Sequence, residues 1–339
     1  MIKKAVQQIM IGSVCKTEEN TLKVLNSIKS AGYDSIELNG FMIKPTPFIV
    51  RVLTKAAGMP TGSAGKFDWK SLVKESGLEV CSIHEDLGSI ENDIDSVINE
   101  AHSFNTKNIV VTGMYRFAYN DKNEVKKLVQ RLNKAGEELK KNDINLLYHN
   151  HNVEFVHFDN QQSEYLQNCP YSLLINETNE EYVNFEFDSY WACDAGVNPL
   201  DIIDILSSRM RCYHITDRGS RLSSASITPI IKNDSMELGC GNMNIASLIE
   251  KAKSCNTEAI ILESHKNWID KNPVICAFCL LHFTSGCGII IMSRGERNKP
   301  LLGLSPSEVK LDTPHKKHER TSRKPLDKPH KVWYNKGVR

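Results

Sequence analysis

The chain has 339 residues, 40% hydrophobic side chains and a formal net charge of +1. That is long enough for one large α/β domain, and its balanced charge points to neither a nucleic-acid nor an acidic partner. Its ten cysteines are spread along the chain, inside apolar runs (Cys81, Cys212) or on helical stretches (Cys255). They are not the framework of a small secreted domain, and a reducing, cytoplasmic setting is expected. The apolar run 9–14, behind Lys3 and Lys4, is too short for a signal segment.

Short apolar runs alternate with amphipathic ones along the chain. Residues 8–14 read as a first strand. Residues 17–31 read as a helix, with Thr17 as N-cap, Leu22, Leu25 and Ile28 on one face, and Gly32 as the stop. A second strand is expected at 35–38, helices at 47–57 and 68–76, and a third strand at 78–84. A helix at 90–104 and a fourth strand at 108–112 follow, then a long helix at 124–141 with Leu128, Leu132, Ala135 and Leu139 inside. The fifth strand, 144–149, leads into NLLYHNHNVEF. Strands at 182–188, 211–215 and 259–262 alternate with helices at 199–207 and 244–254. Eight strands at a spacing of about 30 residues, separated by helices, predict parallel βα units closing into a (β/α)8 TIM barrel. A doubly wound sheet is the alternative, but no glycine-rich nucleotide turn follows the first strand.

The strand ends carry the chemistry. They finish in Glu37, His84, the His149/His151/Glu154 group, Asp188, His214 with Asp217, and Glu263 with His265. Each alone is as well read as a cap or a solvated side chain. Together they repeat at the barrel end where active sites are built. Convergent carboxylates need a compensating cation, and Glu154, Asp188, His214 and Glu263 form an oxygen-rich set suited to Mn²⁺, Mg²⁺ or Co²⁺, with Zn²⁺ as a further candidate. Alternate residues of a strand share a face, so His149 and His151 are expected to point the same way.

NLLYHNHNVEF, FEFDSYWACDAGVNPLDII, HITDRG, MELGCGNMNI and IILESH, in that order over residues 1–273, resemble the xylose-isomerase-like TIM barrels of the sugar phosphate isomerase/epimerase superfamily, in the subgroup that contains HNH. The resemblance implies a divalent metal held by Glu154, Asp188, His214 and Glu263. At strand five His149 and His151 stand as alternative ligands to Glu154, because relatives without HNH carry a ligand Glu where this chain has His149. It implies α-proton abstraction from a sugar, sugar phosphate or keto-sugar through an enediolate, with His149, His151 or Glu154 as the base. A keto-sugar dehydratase or lyase on the same site is one alternative, and a non-catalytic sugar-binding barrel is another. Glu37 and His84 would hold sugar hydroxyls, and Asp217 and His265 complete the substrate-binding set. Trp191 would wall a sugar face or simply fill the core. Arg218 or Arg221 would hold a phosphate, or sit in a solvated loop.

Beyond residue 273 the resemblance stops. The nearly uniform apolar run 274–292 is followed by a Lys/Arg/Pro-rich stretch to residue 339, expected to be disordered and foreign to the barrel, which leaves the last barrel helix in doubt. Histidine and two glycines interrupt the run, so no membrane span is expected. The expected partner is a small carbohydrate, without nucleic acid. The oligomeric state is open, a homodimer included.

Overall fold

Eight parallel strands close on themselves in the order β1-β10-β7-β6-β5-β4-β3-β2. They are Lys3–Gln7 (β1), Ser35–Asn39 (β2), Glu79–Glu85 (β3), Asn108–Thr112 (β4), Asn145–His149 (β5), Val183–Asp188 (β6), Met210–Ile215 (β7) and Ala259–Leu262 (β10). Between β7 and β10 the short strands Asp217–Gly219 (β8) and Asp234–Met236 (β9) form an antiparallel ribbon. The structure is a computed structural model in which residues 2–45, 66–159, 163–222, 224–268 and 271–274 are described. All of these belong to the first of the chain's two units, 1–309; the second, 310–339, lies wholly outside them. The helix expected at 47–57 falls outside the described residues, and so does the tail expected at 274–339 apart from Val274, which is buried.

The first strand is a correction. It runs over Lys3–Gln7, upstream of the expected 8–14, and Gln8–Ile11 is a helical turn. Apolarity alone did not separate a strand from a fully buried turn, and Gln8, Ile9, Met10 and Ile11 are all buried. The single helix expected at 90–104 is two, Leu87–Asn92 and Ile94–Ser103, because Asp86 and Asp93 each cap a new start. Helix Glu18–Ser30 begins where expected, with the Thr17 hydroxyl accepting from Asn20 N at 3.1 Å. Helix Pro170–Glu177 and the β8–β9 ribbon were not expected.

Side chains fill the barrel in layers. At the floor Asn145 donates to Asn108, which donates to the Glu258 carboxylate. Above lies an apolar layer of Ala5, Cys81, Val110, Leu147, Cys212, Ala259 and Ile261. Strand alternation then dictates the layer above. His149 stands two residues after Leu147, His214 two after Cys212, and Glu263 two after Ile261. Register shifts between Ile36 and Glu37 and between Phe185 and Glu186 set Glu37 beside Ser82, and Glu186 and Asp188 beside Cys212 and His214. The ionisable groups therefore gather at the C-terminal mouth, while the outer faces of the strands pack apolar side chains against the helices.

Candidate active site

The inward groups form two tiers that share His214. In the upper tier His149, Asp188, His214 and Glu263 bring donor atoms within 4.8 Å of one another. In the lower tier Glu37, His84, Glu186 and His214 do the same, and all four are buried. His214 divides its ring between them. Its Nδ1 lies 2.9 Å from Glu263 Oε2, while its Nε2 lies 2.6 Å from Glu37 Oε2 and 3.2 Å from Glu186 Oε2. His149 turns Nδ1 to Glu186 Oε2 at 3.0 Å. His84 Nε2 sits between Glu37 and Glu186, at 3.1 and 2.9 Å.

Burial and charge act against each other here. Burial pushes Glu186 up to about 7, reinforced by Glu37, and it pushes Asp188 up to about 7 as well. Burial opposes charge on His84, but the carboxylates of Glu37 and Glu186 outweigh it and hold His84 up at about 10. Burial likewise opposes charge on His214, and Glu186, Glu37 and Glu263 hold it well above the usual histidine range. Burial would raise Glu37 and Glu263; instead His84 and His214 hold Glu37, and His265 and His214 hold Glu263, well below the usual carboxylate range. His149 is held well below the usual range by burial and by the charge on His214 and His84. Burial, then His149, bring His151 down to about 4, so it is neutral at pH 7.

The HNH motif divides its work. His149 ends β5 in the upper tier. Asn150 clamps the neighbouring strand: its side chain accepts from Asp188 N at 3.0 Å and donates to Asp188 O at 3.1 Å. His151 follows the strand and faces the cavity, its ring 5.1 Å from His149 and 5.4 Å from Trp191. Asp188 caps helix Ser189–Asp194, with Oδ1 accepting from Tyr190 N at 2.8 Å. That cap fixes the carboxylate at the mouth.

Glu154, expected beside Asp188, His214 and Glu263, is placed differently. Its Oε1 accepts from the Tyr148 hydroxyl at 2.8 Å and its Oε2 from His151 N at 2.9 Å. Tyr148 lies 2.9 Å from the Tyr119 hydroxyl, which accepts from Met114 N. Tyr148 neighbours the inward Leu147 and so faces the helix layer, which draws Glu154 behind the barrel wall. It belongs to neither four-donor group, and His149 stands at the strand-five corner instead.

A cavity of about 1080 Å³ opens over the upper tier. Its described walls include His84, His149, His151, Asp188, Trp191, Glu263 and His265, with Tyr115, Tyr190 and Trp268 as further aromatic surface. Three expected substrate contacts sit elsewhere. Glu37 is fully buried and turned to His214 and to the Ser82 hydroxyl at 2.6 Å. Asp217 accepts from four backbone amides, that of Arg218 beside it and those of Gly239, Gly241 and Met243 in the turn after β9. Arg218 pairs with Asp194 at 3.0 Å. Glu186 was missed, although it precedes Asp188 by two residues and the alternation of FEFD already puts both on one face.

Comparison with known proteins follows the same lines. The sequence model described as "xylose isomerase-like TIM barrel" matches residues 25–274. The chain belongs to the xylose isomerase-like TIM barrel family. Within that fold, a sugar phosphate isomerase/epimerase from Parabacteroides distasonis superposes with a TM-score of 0.61 at 19% identity, covering 82% of this chain and 91% of that one. A 3-keto-D-glucoside 4-epimerase from E. coli gives 0.53 at 15%, covering 85% and 100%. A xylose isomerase-like TIM barrel protein from Mycobacterium smegmatis, in complex with magnesium, gives 0.56 at 13%, covering 84% and 96%. At these identities the likeness is one of fold. The chain matches no curated protein. No helix among the described residues is long and apolar enough to cross a membrane.

Proposed function

We propose that the chain is a metal-dependent isomerase or epimerase that acts on a sugar, sugar phosphate or keto-sugar by removing the proton α to a carbonyl. The observation that carries this is the upper tier: two carboxylates and two imidazoles from four different strands, within 4.8 Å of one another at the floor of an open cavity. The donor set fits a divalent cation. Asp188 is buried and Glu263 largely so, with its side chain 12% exposed, and a cation would offset the charge of both carboxylates. Two nitrogens and two oxygens suit Zn²⁺, Mn²⁺ or Co²⁺, and Mg²⁺ is the ion named with the M. smegmatis relative. His149, Asp188, His214 and Glu263 would hold the ion, which when bound would polarise a substrate carbonyl and its neighbouring hydroxyl.

The chain's own groups supply the rest. His151 is neutral at pH 7 and faces the cavity, so its free ring nitrogen accepts the α-proton. Returning that proton to the neighbouring carbon, while the hydroxyl proton passes between the two oxygens, gives isomerisation; protonation of the opposite face by a second acid gives epimerisation. Glu154 holds the His151 backbone amide and so sets where the imidazole stands. Trp191, against His151, offers an apolar wall for a sugar face. His265, 3.3 Å from Glu263, steadies that carboxylate and lines the mouth beside it. The family and the neighbours' epimerase chemistry support the reading.

The test is elemental analysis of protein equilibrated with Mn²⁺, Co²⁺ and Zn²⁺ and then desalted. One ion per chain is expected, lost in Asp188→Asn with the fold intact by circular dichroism. Retention of no ion by the wild type refutes the reading.

A further inference from the structure

The upper tier requires two imidazoles to present a lone pair to the same point. An uncharged imidazole carries its proton on either nitrogen, and which one is set by what the other nitrogen meets. In the lower tier each of these rings meets a carboxylate that is fully buried. Glu186 Oε2 lies 3.0 Å from His149 Nδ1, and Glu37 Oε2 lies 2.6 Å from His214 Nε2. The two rings use opposite nitrogens, so no single preference of the free side chain would orient both.

We propose that Glu37 and Glu186 are positioning residues that fix the tautomers of His214 and His149, turning Nε2 of His149 and Nδ1 of His214, the nitrogen that faces Glu263 at 2.9 Å, toward the ion. This rests on the metal-binding reading above. Glu186 is the hinge of the arrangement, since its Oε2 also lies 3.2 Å from His214 Nε2 and 2.9 Å from His84 Nε2. Three imidazole nitrogens thus surround one carboxylate oxygen. His84 bridges Glu186 to Glu37 and fills the gap between the two carboxylates where a second ion would otherwise sit. Sheet register makes the layer: His149 pairs with Glu186 across β5–β6, and Asp188 pairs with His214 across β6–β7. Partners of this kind orient ligand histidines and raise their basicity, and removing one typically costs about 10–100-fold in metal affinity.

The experiment uses the full chain and Co²⁺ or Zn²⁺, with affinity read by competition against a chelating dye. Wild type is expected to bind one ion. Glu186→Met and Glu37→Met, which keep bulk but remove the acceptor, are expected to bind one ion about 10–100-fold more weakly and to shift the visible bands of bound Co²⁺. Glu186→Gln, which retains an acceptor oxygen, is expected to recover part of the loss. Long-range ¹H–¹⁵N spectra of the Zn²⁺-loaded, ¹⁵N-histidine protein are expected to place the ion on Nε2 of His149 and Nδ1 of His214. Wild-type affinity and bands in both Met variants, or the ion on the opposite nitrogens, overturn the proposal while leaving the metal site standing. Two ions per wild-type chain, one of them lost in Glu37→Met, also overturn it, because the lower tier would then be a cation site itself. No ion in the wild type overturns the functional reading, and the proposal with it, before any variant is compared.

Discussion

Asp217 distinguishes a substrate contact from a structural anchor, and Asp217→Asn tests which it is. The carboxylate is fully buried and accepts four backbone N–H groups: Arg218 at 2.8 Å and Met243 at 3.1 Å on Oδ1, Gly239 at 3.0 Å and Gly241 at 2.8 Å on Oδ2. It gathers the turn after β9 onto the β8–β9 ribbon. The turn is built around it: Gly239 has φ +77°, and a Cβ added at Gly241 would stand 2.3 Å from Asp217 Oδ1. An amide of the same shape offers one acceptor oxygen and turns an NH₂ toward the other two donors. Two charge-assisted bonds at about 1.5–3 kcal/mol each put the loss near 3–6 kcal/mol. Gly239 and Cys240 are exposed and Gly241 is half-buried, so the freed amides can turn to water and the lower end applies. We expect Asp217→Asn to cost about 3 kcal/mol in urea denaturation and to lower the thermal midpoint by roughly 6–10 °C. The variant should still hold one divalent ion. A variant as stable as wild type that has lost sugar binding would refute the reasoning and return Asp217 to the substrate.

Ion uptake should depend on pH. Asp188, pushed up to about 7 by burial, is protonated below that value in the ion-free protein and must release the proton to bind; His214, held charged, must do so as well. Affinity should therefore rise with pH, and going from pH 8 to pH 6 should weaken binding at least about tenfold from Asp188 alone; affinity independent of pH over that range would contradict the assignment. Gly136 lies on the helix Lys122–Lys140 where a Cβ would stand 2.8 Å from the Tyr182 carbonyl oxygen. Gly136→Ala should destabilise by about 1–3 kcal/mol, despite its better helix propensity, with ion binding unchanged by calorimetry.

Much of this was legible in the sequence. β4 and β10 lie where their apolar runs end, because polar residues bracket both and nothing else competes for them. His149, His214 and Glu263 stand on the inward face because period-two alternation forces it once Leu147, Cys212 and Ile261 face inward. What escaped was whatever depends on register or on a distant partner. The shift beside Glu37 aims it at His214 instead of the cavity. Glu154 follows a tyrosine hydroxyl behind the wall, a partner six residues back on the opposite face. Arg218 finds Asp194 on a separate helix. Asn150 makes two bonds to the Asp188 backbone on the neighbouring strand, which its polarity alone does not announce.

The most direct test of the whole account is solvent exchange. A panel of keto-sugars, aldoses and their phosphates is incubated with the Mn²⁺- or Co²⁺-loaded chain in D₂O, and incorporation of deuterium α to the carbonyl is followed by proton NMR. The account predicts that at least one sugar exchanges its α-hydrogen at least as fast as product forms. It predicts that exchange stops when the ion is removed by chelation and returns when it is restored. In His151→Ala the ion should stay bound while exchange falls by about 10²–10⁴-fold. Exchange that persists without the ion, or at the wild-type rate in His151→Ala, would contradict it.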